Sequence, residues 1–287
     1  MSDGTPRAVT PRIMGIVNAS LDSVVGGVEA HGAGALALGM VASGASVIDV
    51  GGQSLRTDQP EVPVATELAR VEPVLAAVRA ACPGTTISVD TYRAPVAEAA
   101  IAAGATLVND PSGLRDPELA DVVAAHGVDV VLTYNRGTPK VRLARGQLVE
   151  DPVADCRQFL ARRLEALAAA GVPAGRVILD LGPDLGKAPE QTISVLHHAA
   201  ETRDALGSHR LLWALSKKDF IGALLGRRPA LRVAGTFGAL AAVEFREGDL
   251  VRVHDVAGVA DFFAVRAAIR NGHEGHLELP PDLRYDR

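Results

Sequence analysis

An apolar run of strand length that stops near a polar residue, followed by a helical pattern, recurs along this chain. Arg12-Ile-Met-Gly-Ile-Val-Asn18 is the first such run. Ala45-Ser-Val-Ile-Asp-Val-Gly51 is the second, with Asp49 near its end. The third, Ile87-Ser-Val-Asp90, is rich in β-branched residues and ends in an acid, after which Ala94-Pro95 opens a helix. Ala105 to Asn109, Val128 to Leu132, Arg176 to Asp180, Leu211 to Leu215 and Asp249 to Val253 continue the series. Helical patterns fill the intervals: Ala33 to Ser43, Ala65 to Ala81, Ala94 to Gly104, Pro117 to His126, Asp151 to Gly171 and Pro189 to Leu206. A helix opened by Asp219, a further pattern from Gly235 to Phe245, and Val259 to Ile269 complete them. Asp151-Pro152 combines a capping acid with a first-turn proline. Gly44-Ala45 and Gly104-Ala105 each join a helix stop to a strand start.

Strands and helices alternating about eight times predict an α/β protein of one domain, a (β/α)8 TIM barrel with parallel strands inside and helices outside. Residues 12–275 form the barrel in this reading, with residues 1–11 as an N-terminal tail and 276–287 as a C-terminal tail. An open doubly wound sheet also puts its site at strand C-termini, but the count of eight and the missing Gly-x-Gly-x-x-Gly after the first strand disfavour it.

The length of 287 residues suits such a barrel, and 48% apolar content supplies a core. Aromatics are only 3%, so that core must be built from Ala, Val, Leu and Ile. The net charge of −5, with no run of Lys and Arg, argues against nucleic acid or an anionic membrane as partner. Cys82 and Cys156 fall in helical stretches without metal-ligand spacing, which fits reduced thiols. The first dozen residues lack a signal-peptide core, and no run reaches the ~18 apolar residues of a membrane span. A soluble cytoplasmic protein is expected.

In a barrel, polar residues at strand C-termini converge on one face. Asp90, Asn109 and Asp180 would meet there. Two carboxylates and an amide suit a flat heterocycle with several N–H donors, because a carboxylate accepts two parallel bonds from an amidine-like edge. Each alone fits a helix cap equally well; together with Lys218 and Arg252 they point to a site. Ser216-Lys-Lys-Asp-Phe-Ile-Gly222 sets two lysines at a strand end before a helix N-terminus, a place that attracts anions. Arg252 and His254 share one side of the last strand and suit a diphosphate. Asn18 is a candidate Mg²⁺ ligand through its carbonyl oxygen. His197-His198 is read as an exposed helix face.

These stretches together resemble dihydropteroate synthase, of the pterin-binding barrel family, over nearly the whole chain. Ile48-Asp-Val-Gly-Gly52, Ser88-Val-Asp-Thr91, Val108-Asn-Asp110, Gly186-Lys187 and Arg252-Val-His-Asp255 carry the resemblance in family order. It implies that a dihydropterin diphosphate binds in the barrel mouth. Asp90, Asn109, Asp180 and Lys218 match pterin-contacting positions, and Asn18, Arg252 and His254 match positions that hold the diphosphate and Mg²⁺. The C–O bond to diphosphate then breaks largely before the amine of p-aminobenzoate attacks, so stabilisation of the departing diphosphate does the work and no protein nucleophile is required. Asp90, Lys218, Arg252 and His254 are the implied catalytic set. Ser216 and Asn109 fall with the substrate-binding residues. Arg56 matches a residue that helps close the site over the second substrate. A homodimer is also expected, since barrel helices commonly form dimers in this family.

The chain departs from the family pattern near the second substrate. Gln53-Ser54-Leu55-Arg56-Thr57 stands for Glu-Ser-Thr-Arg-Pro, and Thr133-Tyr134 for Met-His. Asp180-Leu-Gly-Pro-Asp-Leu-Gly-Lys187 stands for Asp-Pro-Gly-Ile-Gly-Phe-Gly-Lys, and Ser216-Lys-Lys-Asp219 for Ser-Arg-Lys-Ser. The resemblance implies that the last serine of that motif and the helix N-terminus receive the carboxylate of p-aminobenzoate. Asp219 would put a negative charge there, and at ~4 Å and an effective dielectric of ~20 two like charges cost on the order of 4 kcal/mol. Asp219 is also expected to cap its own helix. Paralogues that keep the fold without synthase activity occur in the family, and a pterin binder that uses another amine, or none, is the alternative reading.

Overall fold

The computed structural model describes residues 7–19, 30–54, 60–138, 140–141 and 143–284. Among them eight parallel strands close into a barrel in sequence order. They are β1 Arg12–Asn18, β2 Ala45–Gly51, β3 Thr86–Asp90, β4 Leu107–Asp110, β5 Asp129–Thr133, β6 Val177–Asp180, β7 Arg210–Trp213 and β8 Leu250–Val253. The helices are α1 Ala30–Ala42, α2 Val64–Ala81, α3 Ala94–Ala102, α4 Glu118–His126, α5 Pro152–Ala169, α6 Pro189–His197, α7 Ala199–Ala205, α8 Asp219–Leu225, α9 Val233–Ala242 and α10 Val256–Asn271. The predicted strands all form, with ends moved by a residue or two. None of the helices is long and apolar enough to cross a membrane.

One predicted helix, Pro189 to Leu206, is two. The chain turns at His198, with φ −98° and ψ 21°. Its ring Nδ1 lies 2.9 Å from the Ser194 carbonyl, while its backbone N–H reaches the same oxygen at a longer 3.3 Å. The side chain thus competes for the carbonyl that a continuous helix needs. The capping expected of Asp151 is present, its carboxylate accepting from the N–H groups of Val153 and Ala154 at 3.0 Å.

Alternation along the strands sorts the core into two shells. Met14, Val47, Leu107, Val131, Ile178, Leu212 and Leu250 point inward and plug the barrel. The outward residues, such as Val17, Ile48, Val50 and Val89, pack against the helices in a second, larger cluster. One aromatic group joins Trp213, Phe245 and Phe263 edge to face, and Tyr134 packs on Phe159 in another. Both cysteines are buried and free.

The end of the barrel opposite the strand C-termini is fastened by one acid. Asp249, read from sequence as the start of the last strand, lies just before β8 and is fully buried. It accepts from Arg203 Nη2 at 2.6 Å, the Leu211 N–H at 2.8 Å, the Arg246 N–H at 3.0 Å and Trp213 Nε1 at 3.1 Å. Arg203 is itself only 2% exposed. Removing one member of a buried pair leaves an uncompensated charge. Asp249→Ala is therefore expected to lower the free energy of unfolding by about 3–5 kcal/mol in urea titrations; a change within about 0.5 kcal/mol would contradict this account.

Candidate active site

Above the apolar plug, most inward positions toward the mouth are polar. On the same alternation, Asn18, Asp49, Asp90, Asn109, Thr133, Asp180 and Arg252 face the interior at or near the strand C-termini. Arg252 is the centre of the group. Its Nε donates to Asp49 Oδ2 at 2.6 Å and its Nη2 to Asp90 Oδ2 at 2.6 Å. Asn109 Nδ2 adds a third bond, to Asp49 Oδ2 at 3.1 Å. Asp49 Oδ1 is buried without a hydrogen-bond partner among the described residues.

Two carboxylates around one guanidinium leave an excess of negative charge, and burial penalises it. Desolvation is the largest cause that pushes the Asp90 carboxyl up to about 7; Arg252 opposes it, while Asp49, Glu67 and Asp110 add to it. Asp180 is also raised, first by burial, with Lys218 and the Gly182 N–H pulling the other way. Burial works against the Arg252 charge as well, yet Asp49 and Asp90 hold its pKa above the ordinary value.

Asp180 ends β6, and Gly182 turns the chain under it. The Gly182 N–H donates to Asp180 Oδ1 at 2.8 Å. Gly182 has φ +60°, and a Cβ there would lie 1.9 Å from the Tyr134 carbonyl oxygen, so only glycine fits. Lys187 pins the same turn, donating to the carbonyls of Leu185 at 2.8 Å and Tyr134 at 3.3 Å, with its ammonium 4.0 Å from the Tyr134 ring centre. Burial pulls this amine down to about 8. Lys218 reaches across to the Pro183 carbonyl at 3.1 Å.

His254, just past β8, has Nδ1 3.0 Å from Ser216 Oγ. Burial, then Arg252, Lys217 and Lys218, draw its pKa down to about 4, so the ring is neutral at pH 7. The tautomer in which Nδ1 accepts from the Ser216 hydroxyl carries its proton on Nε2, which is then a donor. Asn18 stands at the end of β1, in register with Gly51.

The site predicted from sequence is thus largely gathered. Asp90 with Arg252, and Ser216 with His254, are in direct contact. Asn109 bonds to Asp49, and Asp180 shares a loop with Pro183, the acceptor of Lys218. Arg56 and Leu55 lie outside the described residues. Asp219 needs correction as a cap. The first N–H groups of α8 are taken by Asp184, whose Oδ2 accepts from the Asp219 N–H and whose Oδ1 accepts from the Phe220 N–H at 3.2 Å. Asp184 adopts φ +66°, and its backbone N–H donates to Thr192 Oγ1 at 3.0 Å. The Asp219 carboxylate turns away to Arg232 Nη1 at 2.7 Å and is 71% exposed.

The site reading missed Asp49, Lys187 and Asp184. Asp49 carried a signal, being two residues before an inward-facing strand end. Nothing local announces Asp184, which caps a helix 35 residues further along.

A closed parallel barrel with carboxylates, an amide and cations converging at its strand C-termini has the architecture of the barrel enzymes. The family model described as pterin binding enzyme matches residues 14–254. A dihydropteroate synthase of Synechocystis sp. is 36% identical over 262 residues, 90% of this chain and 89% of the relative. A Mycobacterium bovis protein named inactive dihydropteroate synthase 2 is 36% identical over 234 residues, 80% of this chain and 73% of the relative. The solved dihydropteroate synthase of Xanthomonas albilineans with 4-aminobenzoic acid superposes with a TM-score of 0.81 at 36% identity, covering 90% of this chain and 93% of that one. The chain belongs to the pterin-binding enzyme family, among proteins that include the dihydropteroate synthases.

Because the Arg252 charge lowers the Asp90 pKa, Arg252→Met is expected to move the Asp90 carboxyl midpoint upward from about 7. Carboxyl ¹³C NMR titration of the unliganded protein checks this, and an unmoved or lowered midpoint would refute the assigned ion pair.

Proposed function

We propose that this chain is a dihydropteroate synthase-type transferase. It would join a dihydropterin diphosphate to p-aminobenzoate, breaking the C–O bond to diphosphate, forming a C–N bond to the amine and releasing the amine proton. The observation that carries this reading is the cluster of Asp90, Asn109 and Asp180 around the barrel mouth with Arg252 beside them. The acids and the amide suit the N–H-rich edge of a pterin. Arg252, Lys218 and the Nε2–H of His254 offer cationic and neutral donors to a diphosphate as charge builds on it. The neutral state of His254 favours donation from a fixed tautomer over charge pairing.

Mg²⁺ fits this donor set. Among the described residues no group of three or more acidic, His or Cys side chains could cage a metal ion. Magnesium commonly takes one or two protein oxygens together with substrate phosphates and water. Asn18 would hold it through the amide oxygen, and the ion would offset charge on the diphosphate. A cytoplasmic homodimer is part of the same proposal. Exposed Leu224 and Leu225, at the end of α8, and Leu231 beyond it provide apolar surface that supports it.

One observation favours a second reading. The resemblance assigns the carboxylate of p-aminobenzoate to the N-terminus of α8, where Asp184 already satisfies two N–H groups. A paralogue that retains the pterin half and uses another amine, or turns nothing over, is consistent with this arrangement and with the relative named inactive.

Steady-state assays with dihydropterin diphosphate and Mg²⁺, with and without p-aminobenzoate, separate the two. Dihydropteroate and diphosphate appearing in equal amounts is the expected result; bound pterin without dihydropteroate would overturn synthase activity. Asp180→Ala is expected to weaken pterin binding by about 100-fold or more in calorimetry, since two charge-assisted bonds are lost, and unchanged affinity would sink the pterin assignment. Asp184→Gly combined with Asp219→Ser is expected to lower the KM for p-aminobenzoate by about tenfold, with the pterin KM unaltered; an unmoved p-aminobenzoate KM would discard the blocking role of these acids.

A further inference from the structure

A fourth acid stands behind the mouth and takes no part in the proposed chemistry. Glu67, on α2, is fully buried. Its Oε1 accepts from Thr91 Oγ1 at 2.8 Å. Its Oε2 accepts from Arg93 Nη1 at 2.8 Å and from Gln53 Nε2 at 3.1 Å. Arg93 also lies 3.6 Å from Glu61, to which the Tyr92 hydroxyl donates.

The partners of Glu67 matter for where they sit. Thr91 follows Asp90 directly, and Gln53 lies two residues beyond β2. In the strand register Gly51 is opposite Asp90. Between β2 and Gln53, α2 presses onto the chain so closely that a Cβ on Gly52 would lie 2.6 Å from Val71 Cγ2 and 2.9 Å from Glu67 Cγ. One carboxylate thus ties together the C-terminal ends of the two strands whose acids grip Arg252.

Burying a carboxylate is costly unless it is paired and fully hydrogen-bonded. Apolar packing, used for nearly every other helix–strand contact here, would hold α2 without that cost. What hydrogen bonds add is direction: they fix angles and spacings that apolar contact leaves free to slide. The spacing at issue is demanding, because Asp49 and Asp90 each approach Arg252 to 2.6 Å.

We propose that Glu67 is a positioning residue, holding the ends of β2 and β3 at the separation at which Asp49 and Asp90 both engage Arg252. Its effect on turnover rests on the pterin reading above; its effect on the ion-paired cluster does not. The charge of Glu67 also bears on Asp90. The charged groups facing Asp90 are Arg252 from β8, which lowers its pKa, and Asp49 from β2, Glu67 from α2 and Asp110 from β4, which raise it. Removing the Glu67 charge therefore acts in the opposite sense to removing Arg252.

Glu67→Gln keeps the shape and deletes the charge. Two readouts are taken on the folded variant: the Asp90 midpoint, followed by carboxyl ¹³C NMR without ligand and identified by its loss in Asp90→Asn, and the dissociation constant for dihydropterin diphosphate. Charge deletion alone lowers the midpoint, so positioning is read from the rise that Arg252→Met causes: that rise is expected to be smaller in the Glu67→Gln background than in wild type, and the dissociation constant to increase about tenfold, as for members of one hydrogen-bond network. A purely structural role would lower the unfolding temperature and leave both that rise and the dissociation constant at wild type, and that result overturns the proposal. If Glu67→Gln does not fold, Thr91→Val removes a single donor. A pterin dissociation constant raised about threefold then supports the proposal, and one equal to wild type rejects it. Wild-type protein that binds no dihydropterin would refute the pterin reading, and the rise in the Asp90 midpoint alone would then decide the role of Glu67.

Discussion

The grip of Asp49 and Asp90 on Arg252 is the interaction on which the rest of this molecule depends. The three residues come from β2, β3 and β8, and β1 lies between β8 and the other two. The guanidinium therefore spans the barrel interior across the seam where the last strand closes on the first. Its counter-ions outnumber it. Burial first, and then that excess of acids, pushes the Asp90 carboxyl up to about 7, so the cluster holds or releases a proton near neutrality. A ligand edge rich in N–H groups relieves that strain by donating to the surplus acceptors.

Much of this was legible in the sequence, for a plain physical reason. Strands buried on both faces read as apolar runs, and a polar residue at the end of such a run has few places to go except the open end of the barrel. Asp90, Asn109 and Asp180 were found by that rule. The same rule marks Asp49 as the polar stop of the second strand, but it was not assigned to the site; it sits one inward position below the rim, where an ion pair makes burial tolerable. Asp219 illustrates the opposite failure. An acid in the first turn of a helix satisfies every local criterion for a cap, but a loop from β6 delivers Asp184 to the same N–H groups, and Arg232 draws Asp219 away. Local propensity sets what a residue can do, and the tertiary contacts choose among the options. The divided helix at His198 has the same origin, one ring nitrogen competing for one carbonyl.

Polar groups are buried at both ends of the barrel, and the two ends differ in kind. Asp249 accepts four bonds and leaves neither oxygen idle. At the mouth, Asp49 keeps one oxygen without a partner among the described residues, and Ser88 and Thr133 carry unpartnered hydroxyls. At the base both carboxylate oxygens are engaged and fasten the fold, though Arg203 Nε beside them has no partner among the described residues; at the mouth an idle carboxylate oxygen retains capacity to bind. The apolar plug of Met14, Val47 and their neighbours separates the two, so the mouth can vary without loosening the base.

On the proposed reading, the carboxylate of Asp184 gives the second-substrate half of the mouth a built-in competitor. It is tethered, so it never diffuses away, and its effective concentration at the α8 N–H groups is that of a short intramolecular link, commonly millimolar or more. Any free anion seeking those groups meets an affinity reduced by the fraction of time they are vacant. The loop that carries Asp184 also carries Gly182 and is pinned by Lys187. Displacing the acid therefore means moving the turn that orients Asp180. If the site takes two substrates as proposed, that shared turn makes selectivity for one a property of the loop that holds the other.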